Sequence, residues 1–129
     1  MTTGSKPERV ARILVERHFS VAKNLVKYNA FMPALWNGVW STSVFDADGL
    51  LDGELWVLGA SHVAAERGKP VYGHADVSTE VVERTGLLVE RTESPPRHCN
   101  IVAWPAAKED RISVAHDIAA ESILKLKPE

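Results

Sequence analysis

The chain alternates apolar and polar side chains over much of its first half, which is typical of strands with one buried face. Near the N-terminus two patterns overlap. Val10 and Leu14 recur at helical spacing, whereas Ile13 and Val15 alternate as in a strand. We favour the second pattern and predict a strand over residues 11–17, with a helix as the alternative.

The clearest turn signal is the pair Asn37-Gly38. Both central residues of a type I′ turn need a positive φ, which asparagine and glycine tolerate best. The pair predicts a hairpin between strands at 30–36 and 39–45. Because Pro33 has no N–H to donate, we expect the first strand to be an edge strand or to carry a bulge there.

Breakers and capping residues divide the middle of the chain into alternating helices and strands. The predicted elements are a helix over 52–67 that ends at Gly68, a strand over 71–77, a short helix capped by Ser78 that ends at Gly86, and strands over 87–91 and 100–104.

A long C-terminal helix is predicted over residues 107–127. Glu109 and Asp110 stand near its start and Lys125 and Lys127 near its end, which suits the helix dipole. Its predicted inward stripe consists of Ile112, Ala115, Ala119, Ser122, Ile123 and Leu126.

These elements indicate one α+β domain over residues 1–129, with residues 1–7 flexible. We expect a mixed, largely antiparallel sheet of four to six strands with the two main helices on one face. The chain is 45% hydrophobic and 25% charged, which excludes disordered and collagen-like classes. It has one cysteine, no apolar run near the roughly 20 residues that cross a bilayer, and no signal-like start, so we expect a cytoplasmic protein without membrane contact.

The net charge of −2 is unevenly distributed, since residues 1–40 carry +4 and the remainder −6. The basic side chains are spread out and accompany no helix-turn-helix, zinc-finger or aromatic RNA-binding motif. The charge pattern therefore does not favour nucleic acid as a partner.

One set of residues has side chains suited to catalysis. Alternation along a strand places His74 and Asp76 on one face, and likewise His98 and Asn100. If the two strands were neighbours, the four side chains would converge. Two imidazoles and a carboxylate could then share a proton for acid–base catalysis or bind a divalent metal.

Arg97 stands next to this set and could stabilise an anionic transition state or bind a ligand, as could Asn100. Cys99 is interpreted as a buried, unreactive residue, because adjacent strand residues such as His98 point to the opposite face.

Four tryptophans are many for 129 residues. In the predicted hairpin Trp36 pairs with Val39 on one face, and Leu35 with Trp40 on the other. At least one of Trp36 and Trp40 must therefore lie away from the helix-covered face, and we predict that it is exposed or lies in an interface.

A series of short motifs in the order found here resembles small stand-alone bacterial proteins of unknown function that are carried on mobile elements and gene cassettes. The resemblance covers about residues 27–127 and implies a bacterial, cytoplasmic, single-domain protein. The motifs are Asn29-Ala30-Phe31-x-Pro33, Ser43-Val44-Phe45, Asp48-Gly49-Leu50, a helix with Trp56, Tyr72-Gly73-His74-Ala75-Asp76, Pro96-Arg97-His98-Cys99-Asn100-Ile101 and Trp104-Pro105.

The tryptophan content, the charge asymmetry and the missing catalytic motifs favour a small binding or interaction protein, such as an accessory protein of a mobile element. We expect a protein partner, self-association or a small ligand, without enzyme activity or a cofactor. The alternative is a small hydrolase or phosphodiesterase that uses His74, Asp76 and His98, with or without a divalent metal.

Overall fold

The structure, a computed structural model, describes residues 6–92 and 94–128. Within these ranges the strands are β1 (Arg9–Leu14), β2 (Phe19–Ser20), β3 (Leu25–Val26), β4 (Ala34–Trp36), β5 (Val39–Asp46), β6 (Gly73–Ser78), β7 (Leu88–Arg91), β8 (His98–Val102) and β9 (Ile123–Leu126). The main sheet is antiparallel and has the order β7-β8-β5-β1-β6-β9, with β4 beside the first half of β5. The chain therefore has the predicted mixed α+β fold with a largely antiparallel sheet, although the sheet has seven strands within the described ranges rather than four to six, because residues 123–126 add an edge strand and β4 extends β5.

The helical segments are α1 (Asp52–Gly59), a π-helix (Ala60–Ala64), α2 (Ala65–Arg67), α3 (Thr79–Arg84), α4 (Lys108–Glu121) and a 3-10 turn (Tyr28–Phe31). The first three run on from one another and together correspond to the predicted helix over 52–67. Gly68 ends them with a φ of +67°. Ser78 caps α3, since its Oγ accepts a hydrogen bond from the Val81 N–H at 3.2 Å.

One face of the sheet, called the α4 face, is covered by α4, α3 and the 3-10 turn. Val10, Val44, Ala75 and Ile101 point towards it from four adjacent strands, and all four are buried. They pack against α4 side chains such as Ile118. This face carries the largest apolar cluster of the described residues.

The opposite face, called the α1 face, is covered by α1, the π-helix and α2. Ile13 and Phe45 form one cluster with Trp56 and Val63 of these helices, while Ala11 contacts Leu55 in another. The two main helical segments thus lie on opposite faces, whereas the sequence suggested that both cover one face. Both faces of the central strands are buried because apolar side chains point to each of them, as Val10 and Ala11 do from neighbouring positions of β1.

The predicted hairpin is confirmed at its turn and in its register. Asn37 and Gly38 have φ of +49° and +76°, and Trp36 lies opposite Val39. The first strand is shorter than predicted, because residues 28–31 form the 3-10 turn.

The C-terminal helix is shorter than predicted, because α4 ends at Glu121 and Ser122 is extended. The following residues form β9, which pairs with β6 as an edge strand. Gly73 permits this close approach, since a Cβ there would lie 2.3 Å from the Lys125 carbonyl oxygen. Ile123 and Leu126 are 60% and 39% exposed and do not form the predicted inward stripe.

The first strand is confirmed as a strand, beginning at Arg9. Of the segment predicted to be flexible, residues 1–5 lie outside the described residues. Pro7 is buried, and its carbonyl oxygen accepts a hydrogen bond from Thr79 Oγ1 at 2.5 Å. Among the described residues, no helix is both long enough and apolar enough to span a membrane.

Candidate functional site

The structure places all four predicted side chains on the α1 face but does not bring the two pairs together. Asp76 lies opposite Ala11, Ala11 opposite Phe45, and Phe45 opposite His98. Strands β1 and β5 therefore separate β6 from β8. Three strand spacings amount to roughly 14 Å, which is beyond the reach of one metal ion or one shared proton. The two strands are not neighbours, so the condition under which His74 and Asp76 would converge with His98 and Asn100 is not met.

His74 instead has carboxylates at both ring nitrogens. Its Nδ1 contacts Asp76 Oδ1, and its Nε2 lies 3.1 Å from Asp52 Oδ1 at the start of α1. His74 is completely buried and Asp76 nearly so, whereas the Asp52 side chain is 42% exposed. Both ring nitrogens can donate together only when the imidazole carries both protons.

Arg9 completes this cluster by donating from Nη1 to Asp76 Oδ2 and from Nη2 to the Ala47 carbonyl oxygen at 2.9 Å. In the described part of the chain, Asp52, His74 and Asp76 are the group whose ligand atoms, all within 4.8 Å of one another, could hold a metal ion. Arg9 already occupies the second oxygen of Asp76, so that oxygen is not free to bind a metal ion.

His98 belongs to a second, separate cluster. Its Nε2 contacts Ser43 Oγ, its Nδ1 lies 2.5 Å from Thr92 Oγ1, and its ring packs edge-on against Phe45 with 5.4 Å between centroids. Burial lowers the pKa of His98 below its ordinary value, and the positive charge of Arg12 lowers it further. The ring is therefore neutral at neutral pH.

Arg12 lies in a break of the sheet. Strand β1 pairs with β5 at Val10 and Ala11, at the end of β5, whereas β4 pairs with the start of β5. The Arg12 side chain enters the opening, where Nε donates to the Ala30 carbonyl oxygen and Nη1 to the Ser43 carbonyl oxygen, each at 2.8 Å. The third nitrogen, Nη2, forms no hydrogen bond with the described residues.

A pocket of about 240 Å³, called the arginine pocket, lies over this break on the α1 face. Arg12 and Arg67 supply positive charge, and Glu66 supplies one negative charge. The π-helix contributes His62 and Val63, and such segments are frequent at functional sites. The lining consists of Arg12, Ile13, Ser43, Phe45, His62, Val63, Glu66 and Arg67.

The surroundings of Arg12 lower the pKa of its guanidinium. Burial is the main cause that lowers the pKa of Arg12 to about 10, and the positive charge of Arg67 is the second. Among the described residues Arg12 forms no salt bridge, and its bonded acceptors are neutral carbonyl oxygens. The Glu16 carboxylate acts in the opposite direction but forms no salt bridge with Arg12, so a partly buried cation is left without a directly bonded carboxylate.

The predicted binding residues take other positions. Arg97 has a φ of +68° and donates to the carbonyl oxygens of Asp46 and Asp48, so it holds a loop together outside the arginine pocket. Asn100 is half-buried opposite Ser43. Cys99 is buried, as predicted, and this burial raises the pKa of its thiol to about 11.

The two tryptophans differ in exposure. Trp36 is 74% exposed, which confirms the prediction that at least one of the pair lies away from the core. Trp40 is half-buried on the α4 face, where the Arg111 guanidinium stacks 4.0 Å from its ring centroid.

Sequence reasoning missed Arg12, Ser43 and Asp52 as site residues. Arg12 had a usable signal, since it is the one charged residue in the otherwise apolar run from Val10 to Val15. Ser43 lies in an ordinary strand sequence, and Asp52 looks like any acidic residue in a first helical turn.

No protein-family model, curated protein or solved structure matches the chain. The functional interpretation of the candidate sites therefore rests on their geometry.

Proposed function

We propose that the chain binds a small oxyanion, such as a phosphate or carboxylate group, in the arginine pocket. The observation that carries this proposal is the unpaired state of Arg12. Buried charges in proteins are normally paired, because an unpaired charge in a poorly solvated site is costly. An anion in the pocket would provide the missing partner.

The shape of a guanidinium supports an oxyanion as the ligand. Two of the three nitrogens of Arg12 are fixed by backbone carbonyl oxygens, which holds the group in one orientation. The remaining Nη2 can donate a charge-assisted hydrogen bond to an oxygen atom. Because its orientation is already fixed, the Arg12 side chain would lose little conformational entropy when a ligand binds.

The charge and size of the pocket limit the ligand further. The charged side chains of the lining, Arg12, Arg67 and Glu66, together carry a net charge of +1. Arg67 is partly occupied, since its Nη1 lies 3.8 Å from Glu16 Oε1. The pocket has the volume of roughly eight water molecules at about 30 Å³ each, which fits a small molecule or one anionic group of a larger one.

The test is a thermal-shift titration with inorganic phosphate against chloride at equal ionic strength. At ten times the dissociation constant, a specific ligand adds about 1.4 kcal/mol, or a Tm rise of about 5 °C. The wild type should show this rise with phosphate only. Arg12→Gln should lose it, while Arg84→Gln, which alters an exposed arginine on α3, should keep it.

Two results would contradict anion binding in this pocket. One is an equal Tm rise with chloride, which would indicate general screening of charge. The other is an unchanged phosphate response in Arg12→Gln.

Protein interaction through the hairpin tip is the second candidate, favoured by a separate observation. Leu35, Trp36 and Val39 are 56%, 74% and 53% exposed around the turn. Residues 28–45 contain no charged side chain, so the tip offers apolar contacts without like-charge repulsion. A second copy of this chain is therefore the partner we propose for it.

Sedimentation velocity over a range of protein concentrations tests this candidate. The wild type should associate at high concentration, and Trp36→Ser should remain monomeric. Val57→Ser changes a residue that is 66% exposed on α1 and should behave as the wild type. A wild type that is monomeric throughout would exclude the proposed self-association.

A further inference from the structure

The tautomer of His98 sets which of its nitrogens can accept a proton from Ser43. Thr92 Oγ1 lies 2.5 Å from His98 Nδ1 and 3.2 Å from the His98 carbonyl oxygen, which also accepts a hydrogen bond from the Thr92 N–H at 3.0 Å. In the tautomer with the proton on Nδ1, Thr92 Oγ1 accepts from Nδ1 and donates to the carbonyl oxygen. The lone pair of Nε2 is then directed at Ser43 Oγ.

Ser43, His98 and Thr92 therefore have the arrangement of an activated nucleophile. A hydroxyl contacts a neutral imidazole nitrogen that can accept its proton, and a third group orients the imidazole. Ser43 also lines the arginine pocket, so the hydroxyl borders the space in which a ligand would bind.

The Arg12 guanidinium lies beside Ser43, where it can stabilise negative charge. Its Nη1 donates to the carbonyl oxygen of Ser43 itself, which holds the guanidinium beside the serine. The unused Nη2 carries two N–H groups, so one can donate to the anionic group of the ligand and the other to an oxygen on which negative charge develops.

We propose that Ser43 is a nucleophile activated by His98, and that the chain hydrolyses small carboxylic esters that carry an anionic group. This inference rests on the proposed function, since the arginine pocket would bind the anionic group. It differs from the sequence-based hydrolase hypothesis because it does not use His74 or Asp76.

The reaction would proceed in two balanced steps. Ser43 Oγ forms a bond to the ester carbonyl carbon as its proton passes to His98 Nε2, and the carbonyl electrons move to the oxygen facing Arg12. The C–O bond to the alcohol then breaks, and the departing oxygen takes the proton from His98. Water then attacks the carbonyl carbon of the acyl-serine as its proton passes to His98 Nε2. The C–O bond to Ser43 breaks, Ser43 Oγ takes the proton back from His98, and the acid is released.

Labelling with a fluorophosphonate is the direct test of the nucleophile. An activated serine displaces fluoride and retains the phosphonyl group, which intact-mass analysis detects and peptide mapping locates. We expect one adduct, on Ser43 of the wild type, so the result does not depend on a variant that must fold. A missing adduct, or an adduct on another residue, would overturn the inference.

Hydrolysis of the mono-4-nitrophenyl ester of succinic acid, with 4-nitrophenyl butyrate as the neutral comparison, tests the reaction. Ser43→Ala should lower turnover of the anionic ester at least about 100-fold, while Ser41→Ala on the same strand should not. Arg12→Gln should lower turnover of the anionic ester more than that of the neutral one. Unchanged hydrolysis by Ser43→Ala would also overturn the inference.

Thr92 is a positioning residue in this scheme. Thr92→Ser should retain turnover, whereas Thr92→Val should lower it and change the pH profile, because Nδ1 loses its acceptor. In the wild type, turnover should rise with pH through the pKa of His98, below 6.5. Burial and Arg12 lower that pKa, and Glu66 acts in the opposite direction.

The two proposals can fail separately. A phosphate-induced Tm rise without labelling of Ser43 would retain anion binding and remove the catalytic inference. Labelling of Ser43 without a phosphate response would remove the arginine pocket as an anion site.

Discussion

The two faces of the main sheet are built from the same strands but have different properties. In β6, Ala75 and Val77 point to the α4 face, while His74 and Asp76 point to the α1 face. The α4 face is an apolar interior that a helix covers. The α1 face holds two hydrogen-bonded polar clusters and a cationic pocket among its apolar contacts. A sheet buried on both sides can thus place stability on one face and chemistry on the other.

The largest expected effect is a loss of stability when a side chain packed on the α4 face is truncated. Ile118→Ala in α4 removes a completely buried side chain and should lower the free energy of unfolding by about 2–5 kcal/mol. Urea denaturation measures the loss, and the phosphate response should persist below the transition. Val57→Ala, on an exposed α1 position, should change stability by less than about 0.5 kcal/mol. Equal effects of the two variants would contradict the described packing.

A smaller loss of the free energy of unfolding is expected when the buried polar cluster of the α1 face is changed. Asp76→Asn leaves Arg9 and His74 without the carboxylate that joins them, and should cost about 2–3 kcal/mol. Asp52→Asn should cost less, because the Asp52 side chain is substantially exposed. Denaturation curves give both values. If Asp52→Asn were the more damaging change, Asp76 would not be the central carboxylate of the cluster.

Within the α1 face, the dependence of stability on pH should report on the cluster that contains His98. The pKa of His98 is lowered by burial, so the unfolded chain binds more protons than the folded one as pH falls through 6.5. Stability conferred by neutral His98 is present above pH 6.5 and is lost below it. Because His98 is partly exposed, the loss should be under about 1 kcal/mol.

His98→Gln provides the control for this effect. Its stability should fall less between pH 7.5 and pH 5 than that of the wild type, as measured by urea denaturation at each pH. His18 also has a pKa lowered mainly by burial and contributes equally to both proteins. Identical pH dependence in the two proteins would mean that His98 titrates as in the unfolded chain.

The smallest effect is expected at the hairpin tip, outside both packed faces. Trp36→Ser should change the free energy of unfolding by less than about 0.5 kcal/mol, because the ring is mostly exposed. Trp40→Ser should cost more, since that ring packs beneath Arg111. A large loss for Trp36→Ser in a monomeric sample would show that the tip contributes to the fold itself.

Local features of the sequence were sufficient for most individual elements. The Asn37-Gly38 turn, the Ser78 cap and the first strand follow from backbone preferences that act over a few residues. The C-terminal segment shows the limit of such reasoning. Ile123 and Leu126 continue a helical pattern, but an edge position beside β6 was available, and pairing there outweighed helix propensity.

The amino-acid sequence by itself determined that His74 shares a face with Asp76, and His98 with Asn100, because strand side chains alternate with period two. Only the tertiary structure decided that β1 and β5 lie between the two pairs, since strand order depends on contacts between distant residues. The same long-range pairing opened the break that Arg12 enters and brought Ser43 to His98. The partners of the polar groups thus follow from strand order, which no local pattern in the chain encodes.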